Sequence, residues 1–140
     1  MLTLPLRDDS ATFSLTEEEA TRQGLPQIRV PIITLDELVE KERRVPEMVK
    51  IDAEGFDLRV LRGASKLLGV TEIFFVECAI YCPFLENTLE AVCCFMKNNG
   101  YRAIDITDLN RSPKHGVLWL AEVVFFNESS PAWANFDSYE

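Results

Sequence analysis

The apolar residues of this chain follow two periods, one typical of strands and one typical of helices. Four consecutive apolar residues fill the segment from Glu72 to Glu77, as expected for a strand buried on both faces. From Phe56 to Leu68 the apolar residues lie on one helical face, and Gly69 occupies the usual glycine position after a helix. The same reasoning predicts strands at Met48–Asp52, Tyr101–Ile106 and Val117–Phe126, and a helix built on Leu85, Leu89, Val92 and Met96 and ended by Gly100.

Three further elements are predicted upstream of residue 48. Ala11–Leu15 alternates like a short strand, and Arg29–Thr34 is rich in β-branched residues. Pro31 inside the second segment favours an edge position, since proline cannot donate to the strand ladder. Leu35 to Arg44 is predicted to form a helix.

The order of these elements predicts the fold class. Strands that alternate with helices imply parallel pairing with right-handed crossovers. The last two strands, joined by a polar loop at 107–116, are expected to form an antiparallel hairpin at the sheet edge. We therefore predict an α/β three-layer sandwich in one domain over residues 1–127, followed by an acidic and aromatic tail at 128–140.

Composition and charge narrow the expected partners. The 140 residues include 14 basic and 23 acidic ones, and the resulting net charge of −9 repels phosphate backbones and anionic lipid heads. We therefore expect neither nucleic acid nor a membrane as partner. No apolar run approaches the roughly 18–20 residues of a membrane span, and residues 1–10 lack a signal-peptide pattern. A cytoplasmic protein is therefore expected, with cysteines that are reduced and mostly buried. The four cysteines and His115 lack the spacing of a zinc site.

The candidate chemistry lies where two predicted strands end. Asp52 closes one strand, Glu54 lies in the turn that follows, and Glu77 closes the next strand. Sites in parallel sheets form beyond the carboxyl ends of the strands, so these three acids are expected to share one rim. Lys50 lies on the same strand face as Asp52 and offsets part of their charge. A purely structural alternative stays open: Asp52 or Glu54 caps the next helix, and Glu77 forms a structural ion pair or hydrogen bond, with Lys50 as one candidate partner.

The segment from Val49 to Ala64, VKIDAEGFDLRVLRGA, closely resembles the signature of the FkbM family of methyltransferases. In that family a lysine–apolar–aspartate–apolar–glutamate–glycine turn precedes a helix ending in leucine–x–glycine–alanine. Upstream, Thr34-Leu35-Asp36 resembles the family's entry into the preceding helix. Downstream, Phe75-Val76-Glu77 resembles its next strand and Glu122–Phe126 its last. The resemblance extends from about Leu4 to Asn127.

The resemblance implies a class I methyltransferase fold, a Rossmann-like sheet of seven strands with the last antiparallel. It implies transfer of a methyl group from S-adenosylmethionine to a hydroxyl on a sugar or secondary metabolite. Asp52 is the candidate base or acceptor-orienting residue and Glu54 a second candidate, helped by a hydrophobic rim that raises either pKa. Lys50, Glu77, Tyr81 and His115 are the candidate substrate-binding residues. No metal ligands are assigned, although a divalent cation held by Asp52 and Glu77 is a weaker alternative.

The sequence departs from the family in one respect. None of its six glycines forms the Gly-x-Gly turn that holds the cofactor, so the N-terminal cofactor-binding strands are predicted to be missing and no cofactor-binding residue is assigned. A sheet cut there exposes an edge, which a second copy or a partner chain is expected to cover. Two alternatives to methyl transfer remain open: a non-catalytic interaction module that keeps the fold, and a carbohydrate- or metal-binding module.

Overall fold

The computed structural model describes residues 2–7, 10–11, 17–82 and 84–135, which divide into two compact units, Met1–Thr34 and Leu35–Glu140. The first unit contains strands β1 (Leu2–Arg7), β2 (Ser10–Ala11) and β3 (Gln27–Val30) and helix α1 (Glu17–Arg22). Its sheet is antiparallel with the order β2-β1-β3. Pro31 lies just beyond β3, so the predicted strand over 29–34 begins and ends earlier than expected. The predicted strand at 11–15 falls almost wholly outside the described residues.

The second unit is a mixed four-stranded sheet with three helices and one short 3₁₀ turn. The strand order is β4-β5-β7-β6; β4 and β5 are parallel, and β7 runs antiparallel to both of its neighbours. The predicted antiparallel hairpin is therefore present, with β6 at the edge. The elements are α2 (Leu35–Glu42), β4 (Met48–Ile51), α3 (Asp57–Arg62), β5 (Ile73–Ala79), α4 (Leu89–Asn98), β6 (Tyr101–Arg111), β7 (Leu118–Asn127) and the 3₁₀ helix Pro131–Asn135.

The core of this unit lies between the sheet and its helices. Phe74 and Val76 of β5 stand opposite Phe125 and Val123 of β7, and all four are buried. The helices supply their partners from the same side: Leu35 and Val39 of α2, Leu58 and Leu61 of α3, and Val92 and Met96 of α4. Among the described residues these helices form one layer on one face of the sheet. The α/β class is confirmed, whereas the Rossmann-like three-layer arrangement stays a prediction.

Helix α3 ends six residues before the predicted end at Leu68, because a residue distant in sequence takes over the amides of the next turn. The Asp36 carboxylate accepts from the Ser65 and Lys66 amides at 3.1 and 2.7 Å, and the Asp36 amide donates to the Gly63 carbonyl at 3.0 Å. Residues 65–70 then form turns instead of helix. The apolar face is still buried as predicted, at Leu61, Ala64 and Leu67.

Two other boundaries differ from prediction. Strand β6 continues to Arg111, through half of the predicted loop, because β7 pairs with its polar residues as far as Arg111–Leu118, with register shifts on the way. Helix α4 begins at Leu89, and Leu85 lies before it. In the tail, where no element was predicted, the Trp133 ring packs edge-on against Phe126 with centroids 5.1 Å apart.

The part of the chain that the structure describes contains no helix long and apolar enough to cross a bilayer. The four cysteines are free, and Cys78 and Cys82 are buried. Burial raises the pKa of the Cys78 thiol to about 12, so this group stays protonated and unreactive near neutral pH.

Candidate functional site

The predicted acidic rim forms at the carboxyl ends of β4 and β5. Ile51 pairs with Val76 in parallel register, so Asp52 and Glu77 lie side by side on neighbouring strands. Asp52 follows the end of β4, whereas β5 continues beyond Glu77 to Ala79, so the prediction that Glu77 closes its strand is wrong. Glu122 of β7 pairs directly with Glu77 from the other side. These three acids line one small pocket together with Lys50, Asp108, Asn110, Leu120 and Ala121. The rim is polar, so the expected hydrophobic rim is absent from this pocket.

Lys50 neutralises part of the negative charge of the rim by pairing with Glu122 of β7 and with Asp52. Its Nζ lies 2.5 Å from Oε2 of Glu122 and 3.7 Å from Oδ2 of Asp52. The hydroxyl of Thr107 donates to the other Glu122 oxygen at 2.6 Å. The hydrogen bond from Lys50 lowers the pKa of Glu122, and the same bond raises the pKa of Lys50. Lys50 thus pairs with Glu122 and Asp52 and not with Glu77, so the alternative in which Lys50 is the partner of Glu77 is wrong.

Glu77 is the acid that the site perturbs most clearly. Burial, followed by the negative charges of Asp52, Asp57 and Glu54, raises its pKa from 4.5 to about 7, and Lys50 opposes this only in part. A carboxyl group with that pKa is about half protonated near neutral pH and is suited to accept or donate a proton. Asp52, in contrast, has a side chain that is 50% exposed.

The turn after β4 carries Asp52 and Glu54. Glu54 and Gly55 both adopt a left-handed backbone, with φ of 50° and 96°. A Cβ atom on Gly55 would lie 2.9 Å from a methyl group at the end of the Leu85 side chain, which can shift, so this position needs glycine chiefly for its left-handed backbone. The N-cap of α3 is Phe56, which makes no side-chain capping bond. The predicted alternative in which Asp52 or Glu54 caps the helix is therefore wrong.

Two buried polar side chains lie beneath this turn. The Asp57 carboxylate accepts from the amides of Ala53 and Gly55 at 3.0 and 3.1 Å and from Nδ2 of Asn87 at 2.8 Å. Nδ2 of Asn87 also donates to the Glu77 carbonyl at 3.1 Å. Asp57 and Asn87 are both 0% exposed, and burial raises the pKa of Asp57. Oδ1 of Asn87 has no partner among the described residues, which costs about 1–3 kcal/mol.

The other two predicted substrate-binding residues lie outside the pocket. Tyr81 is exposed in the loop after β5, which is anchored by backbone bonds from residues 80 and 81 to the Trp119 carbonyl. His115 is exposed in the turn between β6 and β7, where its amide donates to the Ser112 hydroxyl at 3.3 Å. The structure therefore brings Lys50, Asp52 and Glu77 together in the pocket, but neither Tyr81 nor His115.

Sequence reasoning missed several residues of the site. Glu122 could have been found from the sequence. It is an acidic residue inside the apolar strand 117–126, and an acid in an apolar strand was the reason for selecting Glu77. Asp57 and Asn87 had no such signal, since a polar residue next to a helix start is ordinarily solvated. Their burial depends on packing between segments 30 residues apart.

The described residues contain no Gly-x-Gly turn. Their glycines are isolated in sequence, and Gly55 makes a close approach to the side chain of Leu85. No group of three or more His, Cys, Asp or Glu side chains is arranged to hold a metal ion in the described part of the chain.

In open α/β sheets small molecules bind beyond the carboxyl ends of the parallel strands, and Asp52 and Glu77 lie in that region here. The family model described as the Methyltransferase FkbM domain matches residues 3–103, well over half of the chain, which therefore belongs to the FkbM methyltransferase family. The match ends inside β6, so the resemblance of Glu122–Phe126 to the family's last strand lies beyond it. Comparisons with curated proteins and with solved structures give no significant match.

Proposed function

We propose that this chain provides the acceptor side of an S-adenosylmethionine-dependent O-methyltransferase. The observation that carries the proposal is the meeting of Asp52 and Glu77 on adjacent parallel strands, in one pocket with Glu122, in an FkbM chain. S-adenosylmethionine, when bound, supplies an electrophilic methyl group. The residues of this chain act on the hydroxyl that receives it.

Glu77 is the proposed proton acceptor. A hydroxyl oxygen attacks better as its proton leaves, and a base with a pKa near the working pH serves this step best. The pKa of Glu77, about 7, meets that requirement. Asp52 lies at the adjacent strand end and orients the hydroxyl, with Glu54 as a second contact. A rim with this charge disfavours phosphorylated acceptors, so we propose a neutral small molecule such as a sugar or secondary metabolite.

The cofactor-binding turn comes from outside the described residues in this proposal. Strand β4 pairs only with β5 in the described sheet, so its other edge is open to a further strand. A second copy or a partner chain along that edge fits this geometry. We propose a soluble, cytoplasmic setting.

The test is isothermal titration of the protein with S-adenosylmethionine, with and without magnesium, followed by transfer of a labelled methyl group to a panel of neutral hydroxyl compounds. Glu77→Gln and Asp52→Asn keep shape and remove charge, and each is expected to lower kcat by at least about 100-fold. Glu47→Gln is the matched control, because this exposed acid lies at the opposite end of β4. Undiminished transfer by Glu77→Gln, or no cofactor binding by the protein in its oligomer or in complex with the chain that covers the β4 edge, would refute the proposal.

A further inference from the structure

Asp57 and Asn87 are two charged or polar side chains that the proposed chemistry does not use, although both are fully buried. Asp57 opens α3 directly after the turn that carries Asp52 and Glu54. Asn87 lies just before α4, and its backbone carbonyl accepts from the Ala79 amide at the end of β5. The two side chains therefore lie between the ends of the two strands that carry the acidic rim.

Asp57 determines the shape of the turn. Its carboxylate binds the amides of Ala53 and Gly55, the residues on either side of Glu54. Glu54 itself has a left-handed backbone, which side-chain-bearing residues rarely adopt without support from their surroundings. Two hydrogen bonds to one buried carboxylate supply that support.

Asn87 links this turn to β5. Its Nδ2 donates to both the Asp57 carboxylate and the Glu77 carbonyl, and both of these groups are acceptors, so the orientation of the amide is fixed. The consequence is that Oδ1 is buried without a partner among the described residues. The two hydrogen bonds made by Nδ2 of Asn87 explain why the amide keeps an orientation that leaves Oδ1 without a partner among the described residues.

We infer that Asp57 and Asn87 are positioning residues that hold Asp52 and Glu54, on the turn after β4, in register with Glu77 on β5. The inference rests on the proposed function for its catalytic consequence. The path from one acid to the other contains only short steps: the turn amides, the Asp57 carboxylate, the Asn87 amide group and the Glu77 backbone.

The first test is amide hydrogen exchange at Ala53 and Gly55. Asp57→Asn replaces one accepting oxygen by a donor, and Asn87→Leu removes the link to β5 at similar volume. Both variants are expected to exchange about tenfold faster at these amides, as the loss of a supporting hydrogen bond implies. Asn127→Leu is the matched control: this asparagine is also buried, but it binds the Gly69 carbonyl at the other end of β5.

The second test measures the pKa of Glu77 by carbon NMR. Lys50, Asp52, Glu54 and Asp57 are the charged groups that act on it. Asp57→Asn lowers this pKa by removing a negative charge. Asn87→Leu changes no formal charge, and we expect it to lower the pKa of Glu77 because the acids move apart, which a purely structural role for Asn87 does not require.

Near-UV circular dichroism establishes that each variant is folded, and Asp57→Asn stands in if Asn87→Leu does not fold. Among folded variants kcat is expected to fall by about 100-fold with KM for the acceptor little changed, since a displacement near 1 Å has that effect. Unchanged exchange at Ala53 and Gly55 overturns the inference. A parent protein that transfers no methyl group overturns the proposed function instead, and the exchange and NMR results still decide the positioning role.

Discussion

Replacing Glu77 by glutamine is expected to stabilise the second unit at alkaline pH while it removes the proposed base. The pKa of Glu77 is about 7 in the folded protein against an ordinary value of 4.5. A carboxyl group whose pKa is raised by folding holds its proton more tightly in the native state. Its contribution to stability is therefore complete below about pH 4.5 and is lost as the pH rises through 7.

The loss of stability at alkaline pH is calculated from the difference between the pKa of Glu77 in the folded protein and its ordinary value. Each step of one in pKa corresponds to about 1.4 kcal/mol, which sets an upper value of about 3 kcal/mol for the loss. Solvent reaches part of the side chain, so we expect about 2 kcal/mol. Glutamine does not ionise and avoids the loss. Glu77→Gln should therefore match the parent near pH 4.5 and exceed its free energy of unfolding by about 2 kcal/mol at pH 8.

The assay is urea denaturation followed by tryptophan fluorescence at several values from pH 4.5 to 8. Trp119 and Trp133 both lie in the second unit, so the signal reports on that unit. Glu47→Gln is the control for the loss of an exposed carboxylate from the same unit. The reasoning would be refuted if the free energies of unfolding of the parent and of Glu77→Gln differed by the same amount at every pH. That result would mean that Glu77 titrates alike in the folded and unfolded states.

Three further substitutions test the supports of the fold by urea denaturation. Asp36→Ala removes the acceptor of two turn amides after α3 and should lower the free energy of unfolding by about 1 kcal/mol; no change would mean that water replaces it. Gly55→Ala forces a side chain into a left-handed backbone against Leu85 and should cost about 1–3 kcal/mol. Adding Leu85→Ala should restore only the steric part, so full recovery would argue against backbone strain. Tyr101→Phe removes a buried hydroxyl that donates to the Thr71 carbonyl at 2.6 Å and should cost about 1–3 kcal/mol; a neutral result would indicate that the carbonyl finds another donor.

The sequence predicted β4 and β5 well because their burial is encoded locally. The run from Glu72 to Glu77 is apolar on both faces, and only a strand inside a sheet explains such a run. Parallel pairing followed from the intervening helix, and the meeting of Asp52 and Glu77 followed from parallel pairing. The rim was thus predictable without any knowledge of distant contacts.

The predictions that failed concerned features that depend on contacts with residues distant in sequence. The end of α3 was misplaced because Asp36, nearly 30 residues earlier, binds the amides that would have continued the helix. The end of β6 was misplaced because β7 supplies its hydrogen bonds regardless of its polar sequence. Asn87 resembles an ordinary loop residue until the packing that buries it is known.

The position of β7 also constrains the order in which the molecule folds. This strand is the last of the sheet in sequence, yet it lies between β5 and β6 and supplies Val123 and Phe125 to the core. During synthesis β5 and β6 therefore emerge with no ladder between them, and the sheet closes only when residues 118–127 have left the ribosome. Contacts of such large sequence separation slow folding, and until then apolar strand edges stay open to other chains. A nascent chain paused before residue 118 is the species in which aggregation competes most strongly with folding.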